Sequence, residues 1–98
     1  MNFNEQVWEL TKKIPKGKVT TYREIARALH TKAYRAVGNA LNKNPYAPNV
    51  PCHRVVKSDG SLGGFASGCE HKIKLLQEEG VEIKDNKVAD FENKLYKF

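Results

Sequence analysis

The residues best able to do chemistry stand together at Pro51-Cys52-His53-Arg54-Val55-Val56, a thiol, an imidazole and a guanidinium set between a proline and an apolar pair. A free thiol is only a few per cent thiolate near neutral pH, so a nucleophilic Cys52 needs a base or a positive charge close by. His53 and Arg54 offer one of each. Adjacent side chains often point apart, so His53 is expected to reach Cys52 through a water or a folded-back loop. The alternative is a small buried cysteine in a proline-rich turn, the commoner fate of a free thiol. Cys52, His53, Cys69 and His71 make a poor zinc set, because two pairs are close-set and no C-x-x-C spacing occurs. Neither a metal nor a cofactor is expected.

The elements that must carry these residues can be read from spacing. Phe3, Val7, Leu10 and Ile14 recur at helical intervals, Asn2 and Glu5 are placed as a capping box, and Pro15 and Gly17 end the helix. Thr21-Tyr22-Arg23-Glu24 is a second capping box, opening a short helix to about His30 with Ile25, Ala26 and Leu29 inward. A third helix is expected over Ala33 to Lys43, its core side Val37, Ala40 and Leu41, stopping before Asn44-Pro45. Its outer face is unusual: Arg35, Gly38, Asn39 and Asn42 present one cation and then small or amide side chains, a surface that permits close approach to a groove. An ordinary solvated stripe is the alternative.

Prolines and glycines punctuate Pro45 to Gly68, which reads as an ordered functional loop around Val55-Val56. A fourth helix follows over Glu70 to Glu79, with Ile73, Leu75 and Leu76 available to the core and Gly80 as its stop. Val81 to Phe91 reads as a hairpin turning at Asp85-Asn86. The tail to Phe98 carries no clear signal. The expected fold is mainly α with a small β hairpin: a winged helix-turn-helix-like three-helix bundle, an active-site loop and a further helix.

Ninety-eight residues allow one small domain, which excludes barrels and doubly wound sheets. The 17 Lys and Arg against 11 Asp and Glu give a formal charge of +6, which favours a polyanion as partner. No apolar stretch approaches the roughly 20 residues a membrane span needs. Met1 leads into Asn2, Phe3 and Asn4 without a signal peptide, so the expected location is cytoplasmic, or nucleoid-associated in a prokaryote, with both cysteines reduced.

The Pro51-Cys52-His53-Arg54-Val55-Val56 run resembles the active-site motif of the O6-alkylguanine-DNA alkyltransferases, the methylated-DNA-protein-cysteine methyltransferases. The resemblance extends, in the family's order, through Gly17-Lys18-Val19-Thr20-Thr21-Tyr22, Arg35-Ala36-Val37-Gly38-Asn39-Ala40-Leu41, Asn44-Pro45, Gly63-Gly64-Phe65 and Leu75-Leu76-Gln77-Glu78-Glu79-Gly80, covering about Phe3 to Gly80. It implies that Cys52 takes the alkyl group from guanine O6 in duplex DNA in one irreversible turnover. His53 would be the water-mediated base, Glu79 would orient the imidazole, and Tyr22 would help rotate the target phosphate and hydrogen-bond guanine N3. Asn44 would tie the recognition helix to the active-site loop. Arg35 would enter the minor groove and fill the gap left by the flipped nucleotide, with Tyr34, Ala36, Gly38 and Asn39 beside it. Pro51, Val55, Val56, Phe65 and Ala66 would line the alkyl pocket. A monomer is expected.

Three departures qualify the resemblance. The family's usual N-terminal domain is expected to be absent, leaving residues 1–98 as a lone DNA-binding and alkyl-transfer domain. Ala66 stands where family members often have a small hydroxyl or glycine, and Tyr34 is bulkier than the small residue expected beside Arg35. Lys16, Lys18, Arg23, Lys32, Lys43 and Arg54 are candidates for phosphate contacts. Two rival readings remain: a non-enzymatic alkyltransferase-like lesion binder, a class that typically replaces the reactive cysteine, commonly with tryptophan, and a winged helix-turn-helix regulator, which would need neither Cys-His-Arg nor Glu79.

Overall fold

The structure is a computed structural model and describes residues 1–46, 49–62 and 69–98. Helix α1 (Phe3–Lys12) opens on the expected capping box: Asn2 accepts from the Glu5 amide at 2.8 Å, and the Glu5 carboxylate reaches back to the Asn2 amide at 3.4 Å. It ends before Ile14, which is nevertheless buried. Strand β1 (Thr20–Thr21) runs straight into α2 (Tyr22–Ala28), where the Thr21 hydroxyl accepts from the Glu24 amide at 3.0 Å. Helix α2 stops short of the expected His30, which lies in the left-handed region at φ 56°. Helix α3 (Tyr34–Asn42) turns Val37, Ala40 and Leu41 into the core as expected and starts one residue later than Ala33.

Cys52–Arg54 form a single 3-10 turn that leads into β2 (Val55–Val56). After it come α4 (Cys69–Glu78), the hairpin strands β3 (Ile83–Lys84) and β4 (Lys87–Val88), and a short α5 (Phe91–Lys94). At the hairpin turn Asp85 and Asn86 both take positive φ, 52° and 61°, the backbone of a two-residue turn whose twist suits paired strands. The fold is mainly helical with small sheets, as the sequence predicts. Two features differ from the expectation: β1 and β2 pair in parallel, Thr20 with Val55 and Thr21 with Val56, and the tail forms α5 and docks. A two-residue strand is too short to carry a periodic signal, and its partner lies far along the chain.

This short pair separates two cores. Successive strand residues face opposite ways. Val55 accordingly joins Val7, Ile14, Ile25, Ala26, Val37, Ala40 and Leu41, whereas Val56 joins Val19, Leu62, Leu76, Val81 and Val88. The tail braces β1 from its other side: the Tyr96 amide donates to the Val19 carbonyl at 2.7 Å and the Thr20 hydroxyl to the Tyr96 carbonyl at 2.8 Å. The 3-10 turn thereby runs into β2, whose partner β1 is held on both edges.

Candidate active site

Cys52 is half-buried at the start of the 3-10 turn, packed against the first core, and His53 beside it is only 8% exposed. Pro51 cannot donate a backbone hydrogen bond, and its carbonyl accepts from the Arg54 amide at 2.9 Å, closing the turn that carries both side chains. The Nε2 atom of His53 lies 3.1 Å from Glu79 Oε2, at the end of α4. Hydrogen bonding from Arg54 is the main influence that pulls the Glu79 carboxyl below its ordinary range, against burial, so at neutral pH it is an ionised acceptor. His53 Nε2 must then carry the hydrogen, which leaves Nδ1 as a lone pair. Burial, chiefly, lowers the affinity of His53 for a second proton; Glu79 opposes this, and the positive charges of Arg54 and Lys72 add to it. A neutral imidazole of fixed tautomer therefore stands one residue after the thiol, the form of base that thiol activation requires.

Tyr22, the first residue of α2, packs on the same core. Its hydroxyl is held above its ordinary value by burial and secondarily by proximity to Cys52, so it keeps its proton and can donate it. Asn44 follows α3, where its Nδ2 donates to the Val50 carbonyl at 2.9 Å and its Oδ1 accepts from the Tyr46 amide at 2.9 Å. The end of α3 is thus fastened two residues before Cys52. Pro51, Val55 and Val56 are buried; the valine side chains belong to the cores, and the Val55 carbonyl accepts from Lys72 Nζ at 2.6 Å. Phe65 and Ala66 lie outside the described residues.

On α3 the side chains of Tyr34, Arg35 and Asn39 are exposed, while Ala36 and Gly38 are half-buried. A Cβ added at Gly38 would meet nothing within 4 Å. Helical φ and open space mean that the fold itself has no use for glycine there. Two shallow grooves flank this helix: one of about 440 Å³ lined by Arg23, Arg27, His30, Thr31, Lys32 and Tyr34, another of about 520 Å³ lined by Tyr22, Arg23, Tyr34, Lys57, Ser58 and Asp59.

One expectation is corrected. Arg54 is not disposed toward phosphate; its guanidinium turns inward onto Glu79 and the Ile14 carbonyl, because an ionised carboxylate at the end of α4 lies within its reach. Lys18 likewise has a partner, the Asn93 carbonyl at 2.7 Å. The buried Lys72 was not singled out by the sequence reading, and only its helical position between Ile73 and the loop could have hinted at burial. Among the described residues no group of three or more His, Cys, Asp or Glu is arranged to hold a metal, and no helix is long and apolar enough to cross a membrane.

A thiol, an imidazole and a carboxylate on a mainly helical frame define a protein equipped for nucleophilic chemistry at a cysteine. Residues 2–81 match the family of the 6-O-methylguanine DNA methyltransferase DNA-binding domain, and the chain belongs to this family. It is 51% identical over 82 residues to a methylated-DNA–protein-cysteine methyltransferase of Sulfolobus acidocaldarius, covering 84% of this chain and 52% of that protein. The chain spans about half the length, or less, of the curated relatives it matches. Among solved structures, Mycobacterium tuberculosis OGT in complex with DNA superposes with a TM-score of 0.75 at 41% identity, over 81% of this chain and 50% of that one. Schizosaccharomyces pombe Atl1, in complex with damaged DNA containing O6-carboxymethylguanine, superposes with a TM-score of 0.84 at 31% identity, over 98% of this chain and 95% of that one.

Proposed function

We propose that this protein repairs DNA by direct reversal, moving the alkyl group of O6-alkylguanine in duplex DNA to Cys52. The observation that carries this reading is the His53–Glu79 contact at the residue after the half-buried Cys52, in a chain of the methyltransferase family. The thiol proton passes through a water to His53 Nδ1. The sulfur then forms a bond to the alkyl carbon as the bond from that carbon to guanine O6 breaks, and the electron pair stays with the base. Tyr22 donates its hydroxyl proton toward N3 of the departing guanine and recovers it from the imidazolium through solvent. The thioether is stable, so each molecule acts once.

The alkylated oxygen lies within the base stack, so the nucleotide must be extruded before sulfur can reach it. Helix α3 suits that task from the minor groove: Arg35 is exposed where it could occupy the vacated space, and Gly38 leaves room for a close approach. Tyr34, Ala36 and Asn39 extend the same face. Pro51, Val55, Val56, Phe65 and Ala66 would border the alkyl group, the valines through their backbone.

The likeness to Atl1 over nearly all of both chains favours a second reading, recognition of the lesion without transfer. Incubation with a duplex bearing O6-methylguanine, followed by intact mass and peptide mapping, separates the two. A methyl adduct on Cys52 is the expected result. Tight binding of the lesion with no adduct would support the second reading, and equal binding of damaged and undamaged duplex would sink both. Cys52→Ala should still bind the lesion and transfer nothing.

A further inference from the structure

Arg54 meets Glu79 edge to edge. Its Nε donates to Oε1 at 2.9 Å and its Nη2 to Oε2 at 2.5 Å, while the remaining arm, Nη1, donates to the Ile14 carbonyl at 2.9 Å. The pair is screened from water, with side chains 15% and 13% exposed. One planar group therefore joins the end of α1, the 3-10 turn and the residue after α4. The Glu79 backbone is itself closely approached: Gly17 has φ +88°, and a Cβ there would lie 3.3 Å from the Glu79 carbonyl oxygen. Oε2 is the shared atom, accepting from Arg54 and facing His53 Nε2.

We propose that Arg54 is a positioning residue for the transfer step: by clamping the Glu79 carboxylate against the end of α1, it fixes the edge that His53 Nε2 meets and so leaves Nδ1 as the proton acceptor. A carboxylate held by one hydrogen bond can rotate, whereas a two-pronged guanidinium sets its plane. Lysine, a point charge without a fork, cannot do so. The clamp also governs charge. The ionisable groups around the imidazole are Glu79 beyond α4, Lys72 within α4 and Arg54 on its own turn. With Glu79 engaged by Arg54, its negative charge is not free to draw a second proton onto the ring. Without Arg54, Glu79 would pair with an imidazolium, which cannot accept the thiol proton.

The kinetic half of this inference rests on the alkyl-transfer reading; the ring half does not. The His53 ring is followed by heteronuclear NMR across pH in the whole chain without DNA, and single-turnover methyl transfer is measured over the same range. The wild-type ring should be the Nε2–H tautomer. Arg54→Met should make the ring roughly tenfold more basic and move the acid limb of transfer upward in step, so that the loss of rate is greater in mild acid than in mild alkali. Arg54→Lys should hold the ring's midpoint nearer the wild type but mix its tautomers and slow transfer by about tenfold. Should the methionine variant not fold, the tautomer mixture in Arg54→Lys and in Glu79→Gln decides the matter. Folded variants whose ring keeps the wild-type midpoint and tautomer would overturn the clamp, however much transfer slows. A wild type that transfers nothing would overturn the alkyl-transfer reading, leaving the clamp to be judged on the ring alone.

Discussion

At the scale of single residues, His53 and Glu79 are pulled in the same pH direction for different reasons. Burial keeps the His53 ring neutral, and Arg54 keeps the Glu79 carboxyl ionised. For His53 the folded midpoint lies below the unfolded one, so on acidification the unfolded chain binds its proton first, and stability falls as pH drops from about 6.5 toward the folded value. Glu79 adds a second loss as pH falls below about 4.5 and through its own depressed folded midpoint. The urea midpoint is therefore expected to be lower near pH 5.5 than near pH 7.5, and His53→Gln should flatten that upper segment of the profile. Because a neutral ring is the working form, the acid limb of methyl transfer should lie below about pH 6.5. Asn44→Ala should cost about 1–2 kcal/mol by leaving the Val50 carbonyl and Tyr46 amide unpaired, measured by chemical denaturation, and should slow transfer because the loop entering Cys52 loses its anchor.

At the scale of elements, α3 carries a conflict between stability and approach. Gly38 costs the helix up to about 1 kcal/mol relative to alanine, yet nothing inside the fold occupies the space beside it. Gly38→Ala is thus expected to raise the melting temperature while weakening binding to lesion duplex, read by fluorescence anisotropy. A variant that gains stability and binds as before would remove α3 from the docking surface. The tail is a second informative element. Tyr96 packs on the first core, stacks edge-on against Phe98 with ring centroids 5.3 Å apart, and its backbone holds β1. Tyr96→Ala should cost about 2 kcal/mol. The tail lies beyond residues 2–81, the part that matches the family model, yet it braces the strand beside the site.

At the scale of the whole molecule, the charge of +6 is spread unevenly in use. Arg54, Lys72 and Lys18 are engaged within the fold and Arg27 pairs with Glu24, whereas Arg23 and Lys32 line an open groove beside α3. Duplex binding should weaken with salt, with a log–log slope of about −0.9 for each phosphate neutralised. Exchanging both Arg23 and Lys32 for alanine should make that slope shallower by about 1 to 2 and weaken damaged and undamaged duplexes alike.

The sequence by itself determined whatever depends on neighbours along the chain. The capping boxes at Asn2–Glu5 and Thr21–Glu24, the inward stripe of Val37, Ala40 and Leu41, and the Asp85-Asn86 turn are local choices of side chain and backbone, legible within a few residues. The Cys-His-Arg run is visible for the same reason, whereas Glu79 enters only through the resemblance to the family. Tertiary structure alone decided what each of those groups does. Arg54 looked like a cation for phosphate until the fold brought Glu79, 25 residues on, and the Ile14 carbonyl, 40 residues back, within its reach. The pairing of β1 with β2 and the docking of Tyr96 on Thr20, 76 residues apart, are equally silent in the sequence. Such contacts are between backbone groups and long side chains that every residue of their type possesses. Only the packing of two small cores selects which of them meet.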